Sequence, residues 1–146
     1  MSFQCEMPDH FSDDEELLAV LRSARTIAVV GASPKPVRDS HRVTNYLIEQ
    51  GFDVYPVNPG QEEILGRTCY PNLAAVPVKV DIVDVFINPE RVEPIVDEAI
   101  AVGAKAVWMQ LGIIHNPAAQ KARDAGLAVV MNRCLMVEHG RLKIKF

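Results

Sequence analysis

The sequence predicts an α/β domain of three layers, with a mostly parallel sheet of five strands, or slightly more, between helices in a Rossmann-like arrangement. Three observations predict it. Short runs rich in β-branched and aliphatic residues recur at Thr26–Val30, Asp53–Val57, Ile82–Ile87, Ala106–Met109 and Leu127–Met131, and such runs suit strands buried on both faces. Segments with apolar residues at helical spacing lie between most of them, and this alternation is the mark of a parallel sheet. The length, 146 residues, makes one domain that can bury a core without staples.

Residues 1–11 read as a loose tail and 12–146 as the domain. Ser12 with Glu15 has capping-box spacing, and Leu17, Leu18 and Leu21 follow, which predicts a short first helix. Gly31 ends the first strand. Residues 40–50 form a helix with Val43 and Leu47 on one face and Gly51 as its stop. The second strand closes at Asn58-Pro59, and 60–77 is irregular apart from a short helix around Leu73–Val76. After the third strand, Asn88-Pro89 opens a helix with Val92, Ile95, Val96, Ala99 and Ile100 at helical spacing. Pro94 falls in its first turn, where the missing N–H does little harm, and Gly103 ends it. Asn116-Pro117 starts the next helix, with Asn at the N-cap and Pro following, and Gly126 stops it. Beyond the fifth strand the chain reads as a polar stretch with Glu138 and His139 on the surface. The pattern leaves the strand order open, a flavodoxin-like order being one that fits.

Composition narrows the function. A net charge of −4 makes nucleic acid a poor partner. No stretch approaches the ~18 apolar residues of a membrane span, and acidic Met1–Glu16 lacks the basic and apolar regions of a signal peptide. Cys5, Cys69 and Cys134 are odd in number and far apart. They form no disulfide framework and no CxxC pair, which fits reduced thiols in a cytoplasmic protein. Cys134, after a strand, is the thiol best placed for a chemical role.

Ligands of open parallel sheets bind beyond the C-terminal strand ends. The segments there are Gly31-Ala32-Ser33-Pro34-Lys35, Asn58-Pro59, Ile87-Asn88, Trp108-Met109-Gln110 with Gly112, and Asn132-Arg133-Cys134. The first is the most informative. Gly31 permits a tight turn, Ala32 and Ser33 are small enough for backbone N–H groups to approach an anion, and Ser33 adds a hydroxyl. The helix beginning near Ser40 presents free N–H groups and a positive dipole end. Lys35, Arg38, His41 and Arg42 bring positive charge to the same place. The loop is read as a phosphate cradle.

It is not a complete dinucleotide fingerprint, because Ser33 stands where GxGxxG needs its second glycine. Val57-Asn58-Pro59 lacks the acid that NAD sites place after the second strand, so a ligand with extra phosphate fits better. Asp81 and Asp84 read as strand-edge acids held by backbone N–H groups. His115 is a loop histidine or a ligand contact, and Trp108 is core alone or core and pocket wall. No Ser/His/Asp set, HExxH motif or metal cluster is present in the sequence, so no catalytic or metal-binding residue is assigned.

Val30-Gly31-Ala32-Ser33, Val57-Asn58-Pro59, Gly66 with Tyr70 and Leu73, Asp84 to Phe86, Trp108 to Gly112 and Asn132-Arg133-Cys134 occur in this order over about Thr26–Glu138. In this the sequence resembles the small stand-alone CoA-binding proteins and, more distantly, the N-terminal domain of the succinyl-CoA synthetase α subunit. The resemblance implies CoA or acyl-CoA across the C-terminal edge of the sheet, its phosphates at Gly31 to Lys35. Asn58 and Pro59 would line the nucleotide side, and Trp108 to Gly112 the other. It implies binding without ligase chemistry, since the domain bearing the phosphorylated histidine has no counterpart here. Two other classes stay open: a small NAD(P)-dependent oxidoreductase or CoA-linked acyl-transfer enzyme using Cys134, and an interaction or regulatory subunit whose protein partner is unknown.

Overall fold

The apolar runs pair with one another as the alternation predicts. In the computed structural model, which describes residues 7–146, the elements are α1 (Asp14–Ser23), β1 (Thr26–Val30), α2 (Asp39–Glu49), β2 (Asp53–Val57), β3 (Glu63–Ile64), β4 (Arg67–Thr68), β5 (Ile82–Val85), α3 (Val92–Ala101), β6 (Ala106–Met109), α4 (Asn116–Asp124), β7 (Ala128–Val130) and α5 (Leu135–Leu142). Five strands form one sheet in the order β2-β1-β5-β6-β7, every pairing parallel. The chain steps outward from β1 to β2 and then crosses to β5. This is the flavodoxin-like order, with its reversal between β1 and β5.

Side chains alternate across the sheet with the period of two that a strand imposes. Ala28 and Val30 join Val83, Val85, Val92, Val96, Ala118 and Ala122 on the side of α3 and α4. Ile27 and Val29 join Leu17, Leu21, Val43, Leu47, Leu135 and Leu142 on the side of α1, α2 and α5. The two cores give the three expected layers.

Several boundaries differ from expectation, each for a local reason. The Asp13 carboxylate, not Ser12, caps α1, accepting from Glu16 N at 2.9 Å; a charged acceptor is favoured at the positive helix end. Ser12 donates instead to Val129 O at 3.4 Å. His115 Nδ1 caps α4, accepting from Ala118 N at 3.1 Å, and Asn116 becomes the first helical residue. Of the expected tail, 1–6 lie outside the described residues, Cys5 among them. Asn116 fastens the part that follows, donating to Met7 O and accepting from Asp9 N. The irregular segment contains a hairpin of β3 and β4, turning on Leu65 and Gly66. Strands of two residues leave no periodicity to read.

The larger correction is α5. Glu138 and His139 are 8% and 5% exposed, not on the surface. Leu135, Glu138, His139 and Leu142 are the i, i+3, i+4, i+7 stripe of an amphipathic helix, with two polar members that disguise it. Each polar member has partners. Glu138 meets Arg133 at 3.2 Å and Arg141 at 2.7 Å, and Arg141 also holds Asp14. Tyr46 Oη and His139 Nδ1 share a hydrogen bond at 2.8 Å, and Phe52 and Phe146 pack edge-on to the imidazole.

Burial, with the Lys143 charge adding to it, holds the His139 pKa below its ordinary value. The unfolded chain therefore binds a proton that the fold resists, so stability is full above about pH 6.5 and falls as pH drops. The melting temperature is expected to fall between about pH 7.5 and about pH 5. The fall should be smaller in His139→Gln, which offers the Tyr46 hydroxyl a hydrogen-bond partner that does not titrate. Equal falls in the two proteins would exclude the imidazole as the responsible group.

Asp81 behaves as expected, accepting from Arg25 N at 2.8 Å and Thr26 N at 3.1 Å and pairing with Lys105 at 3.3 Å. Asp84 does not. It lies mid-sheet between Val29 and Trp108, fully buried, and neither carboxyl oxygen has a hydrogen-bond partner among the described residues.

Candidate functional site

The reversal between β1 and β5 places the exits of these two strands side by side. Gly31 takes φ +89°, and a Cβ there would lie 2.4 Å from Phe86 O and 2.9 Å from its carbonyl carbon. Only glycine lets the chain leave β1 this close to the backbone leaving β5. The need for glycine thus comes from the positive φ and from the close approach to Phe86. Gly31 N donates to Val57 O at 2.9 Å. Asn58 Nδ2 donates to Ala32 O and its Oδ1 accepts from Gly60 N, both at 2.8 Å, so Asn58 ties the loop after β1 to the turn after β2.

Beyond Gly31 the chain turns into α2. Ser33 Oγ accepts from Lys35 N at 3.1 Å, and Ser33 O bonds His41 Nδ1 at 2.9 Å. Arg38 stands at the N-cap but caps nothing with its side chain, so the first-turn amides of α2 lack a side-chain cap. A cavity of about 500 Å³ lies here, lined by Gly31, Ser33, Lys35, Val37, Arg38, Asp39, Ser40 and Phe86. Among the described residues its one acid is Asp39, which is paired with Arg42, and Arg42 also donates to Val37 O at 3.0 Å. Hydroxyls, an open helix N-terminus and the cations of Lys35 and Arg38 suit it to an anion.

A second cavity of about 410 Å³ adjoins the first, sharing Asp39 and Phe86. It runs along the loops after β5 and β6 to the start of α5, and most of its lining is apolar. Gln110, 4% exposed, reaches across with Oε1 accepting from Leu135 N at 3.0 Å, which fixes where α5 begins.

Of the residues read from the sequence, Gly31, Ser33, Lys35 and Ser40 line the first cavity, and Arg42, Ile87, Asn88, Gln110 and Cys134 the second. Ala32, Pro34, Asn58, Pro59 and Gly112 line neither cavity. Gly112 N donates to Asn132 Oδ1 at 2.7 Å. Trp108 and Met109 are fully buried, one in each core. Trp108 donates Nε1–H to Arg133 O at 2.8 Å, so it is core and not pocket wall. Phe86, Ile113, Met136 and Val137 also line these cavities, although the sequence marks none of them as a site residue and shows Phe86 only as the end of the motif Asp84 to Phe86. Phe86 belongs to the apolar run of the third strand but lies just beyond the strand's end at Val85, and Met136 and Val137 belong to α5, whose polar members disguise it. Cys69 and Cys134 are free thiols, and burial pushes that of Cys69 up. Among the described residues, no helix is long and apolar enough to cross a membrane.

Residues 25–140 match the family model of the CoA binding domain. The chain belongs to the CoA-binding domain family. An uncharacterised protein of Bacillus subtilis, YneT, is 33% identical over 128 residues, covering 88% of this chain and 95% of that one. A hypothetical protein of Pyrococcus horikoshii has a solved structure that superposes with a TM-score of 0.88 at 46% identity, covering 97% of this chain and 99% of that one. The α subunit of an ADP-forming acetate–CoA ligase of Pyrococcus furiosus is 32% identical over 96 residues, which are 62% of this chain and 21% of that subunit. Larger relatives that share this CoA-binding domain include acetate–CoA ligases and a trans-feruloyl-CoA synthase, and the acetate–CoA ligases are close to the succinyl-CoA synthetase that the sequence resembles.

Proposed function

We propose that the chain binds CoA or an acyl-CoA along the C-terminal edge of the sheet and performs no chemistry of its own. The observation that carries this is the first cavity, where Ser33, Lys35, Arg38 and the uncapped start of α2 converge beside Gly31. The phosphates sit there, the nucleotide lies toward Asn58 and Pro59, and the pantetheine arm runs into the second cavity. The family supports the choice of CoA, and the missing acid after β2 disfavours a free ribose as in NAD. The segment shared with the ligase subunit is about a fifth of that protein, which supports binding as the shared property. A cytoplasmic location accompanies this reading.

A ligand at about 100 times its Kd stabilises the fold by about 2.7 kcal/mol. CoA should therefore raise the melting temperature by roughly 5–10 °C, and NAD by less. Lys35→Ala should weaken CoA about ten- to a hundredfold and flatten its salt dependence, because a charge-assisted bond to phosphate is lost. Arg42→Ala should cost less, since Asp39 already holds that guanidinium, and Lys145→Ala nothing. A shift with NAD equal to or larger than that with CoA would overturn the reading.

A further inference from the structure

We infer that the second cavity is an acyl site, built for the uncharged, apolar acyl group of a CoA thioester. The inference rests on the CoA reading above and goes beyond it by naming the class of acyl group. The first observation is continuity. The two cavities share Asp39 and Phe86, so a ligand whose phosphates lie at Ser33 and Lys35 and whose nucleotide lies toward β2 sends its other end across β5 and β6 into the second cavity. The second is that the polar side chains on its wall are engaged. Arg42 pairs with Asp39, Asn88 Oδ1 accepts from Glu90 N at 3.2 Å, and Gln110 Oε1 accepts from Leu135 N at 3.0 Å. The amide N–H donors of Asn88 and Gln110 suit the pantetheine carbonyls, and among the described residues no unpaired cation lines the cavity to meet a carboxylate on the acyl group. The third is the mouth. Leu111 and Val137 stand there 71% and 56% exposed, apolar surface at the opening of an apolar cavity, which marks a site of apolar contact.

The test titrates the full-length protein with CoA, butyryl-CoA and succinyl-CoA by calorimetry. Each methylene taken from water strengthens binding about fourfold, so butyryl-CoA, with two methylenes and a terminal methyl beyond its carbonyl, is expected to bind at least about sixteenfold tighter than CoA. Succinyl-CoA, which brings a carboxylate to a wall without a free cation, is expected to bind no tighter than CoA. In Val137→Asp, an exposed helix position in the first turn of α5, the ratio of butyryl-CoA to CoA affinity should fall to about one. If CoA binds but butyryl-CoA gains nothing, the acyl site falls and the CoA reading stands. An equal gain for succinyl-CoA overturns the apolar class. A gain that survives Val137→Asp places the acyl group elsewhere. If none of the three binds, the CoA reading itself fails.

Discussion

Gly31→Ala is expected to lower the stability of the fold by about 3 kcal/mol or more, a drop in melting temperature of roughly 10 °C. Two effects add. An alanine at φ +89° is strained in any surroundings, and its Cβ would press to 2.4 Å from Phe86 O. That oxygen belongs to backbone leaving a buried strand and cannot swing aside as a long side chain would. Gly51 separates the two effects. It has φ +92° and nothing within 4 Å of the place a Cβ would take, so Gly51→Ala carries the strain alone, about 1 kcal/mol. Urea unfolding of both variants reads the difference. Equal losses would show that close approach to Phe86 is not what the fold requires of Gly31. Because Phe86 lines both cavities, any surviving Gly31→Ala fold should also bind CoA poorly.

Asp84→Leu is expected to stabilise the protein by about 1–3 kcal/mol at neutral pH. Leucine has the same branching as aspartate and carries no polar atom to orphan. The Asp84 carboxyl is fully buried without a hydrogen-bond partner among the described residues, and burial alone drives its pKa well above the usual carboxylate range. The folded state therefore holds a proton that the unfolded chain gives up at about pH 3.8. Its contribution to stability is full below that pH and is lost as pH rises through the folded value. The advantage of Asp84→Leu should accordingly grow with rising pH across this window, measured by denaturant unfolding at several pH values. A constant difference, or a destabilised Asp84→Leu, would show that the carboxyl has a partner in the fold.

The strands were legible because a buried parallel strand must be short and apolar, and Asp53–Val57 and Ala106–Met109 fall where their residues place them. The first loop was legible for a related reason. Small residues, a hydroxyl and basic groups directly after the first strand have few other uses. Caps were read one residue off at Asp13 and His115, because two neighbouring side chains could each satisfy the same amides and only the path of the preceding chain selects between them. Helix α5 was hidden because its buried stripe carries Glu138 and His139, whose partners Arg141, Arg133 and Tyr46 lie partly on other elements.

By itself, the sequence determined the α/β class, the alternation of elements and the chemistry gathered after the first strand. Those properties depend on the period of apolar residues and on the side chains of one loop, and both are local. The tertiary structure alone decided the order β2-β1-β5-β6-β7, the burial of Trp108 behind the site and the capture of Arg42 by Asp39. It also decided the meeting of Phe86, Leu111 and Val137 around one cavity. These depend on which strand lies beside which and on how far each runs before leaving the sheet. Residues separated by dozens of positions become neighbours only when the crossing from β2 to β5 brings their strand ends to one edge, and a local period carries no record of that crossing.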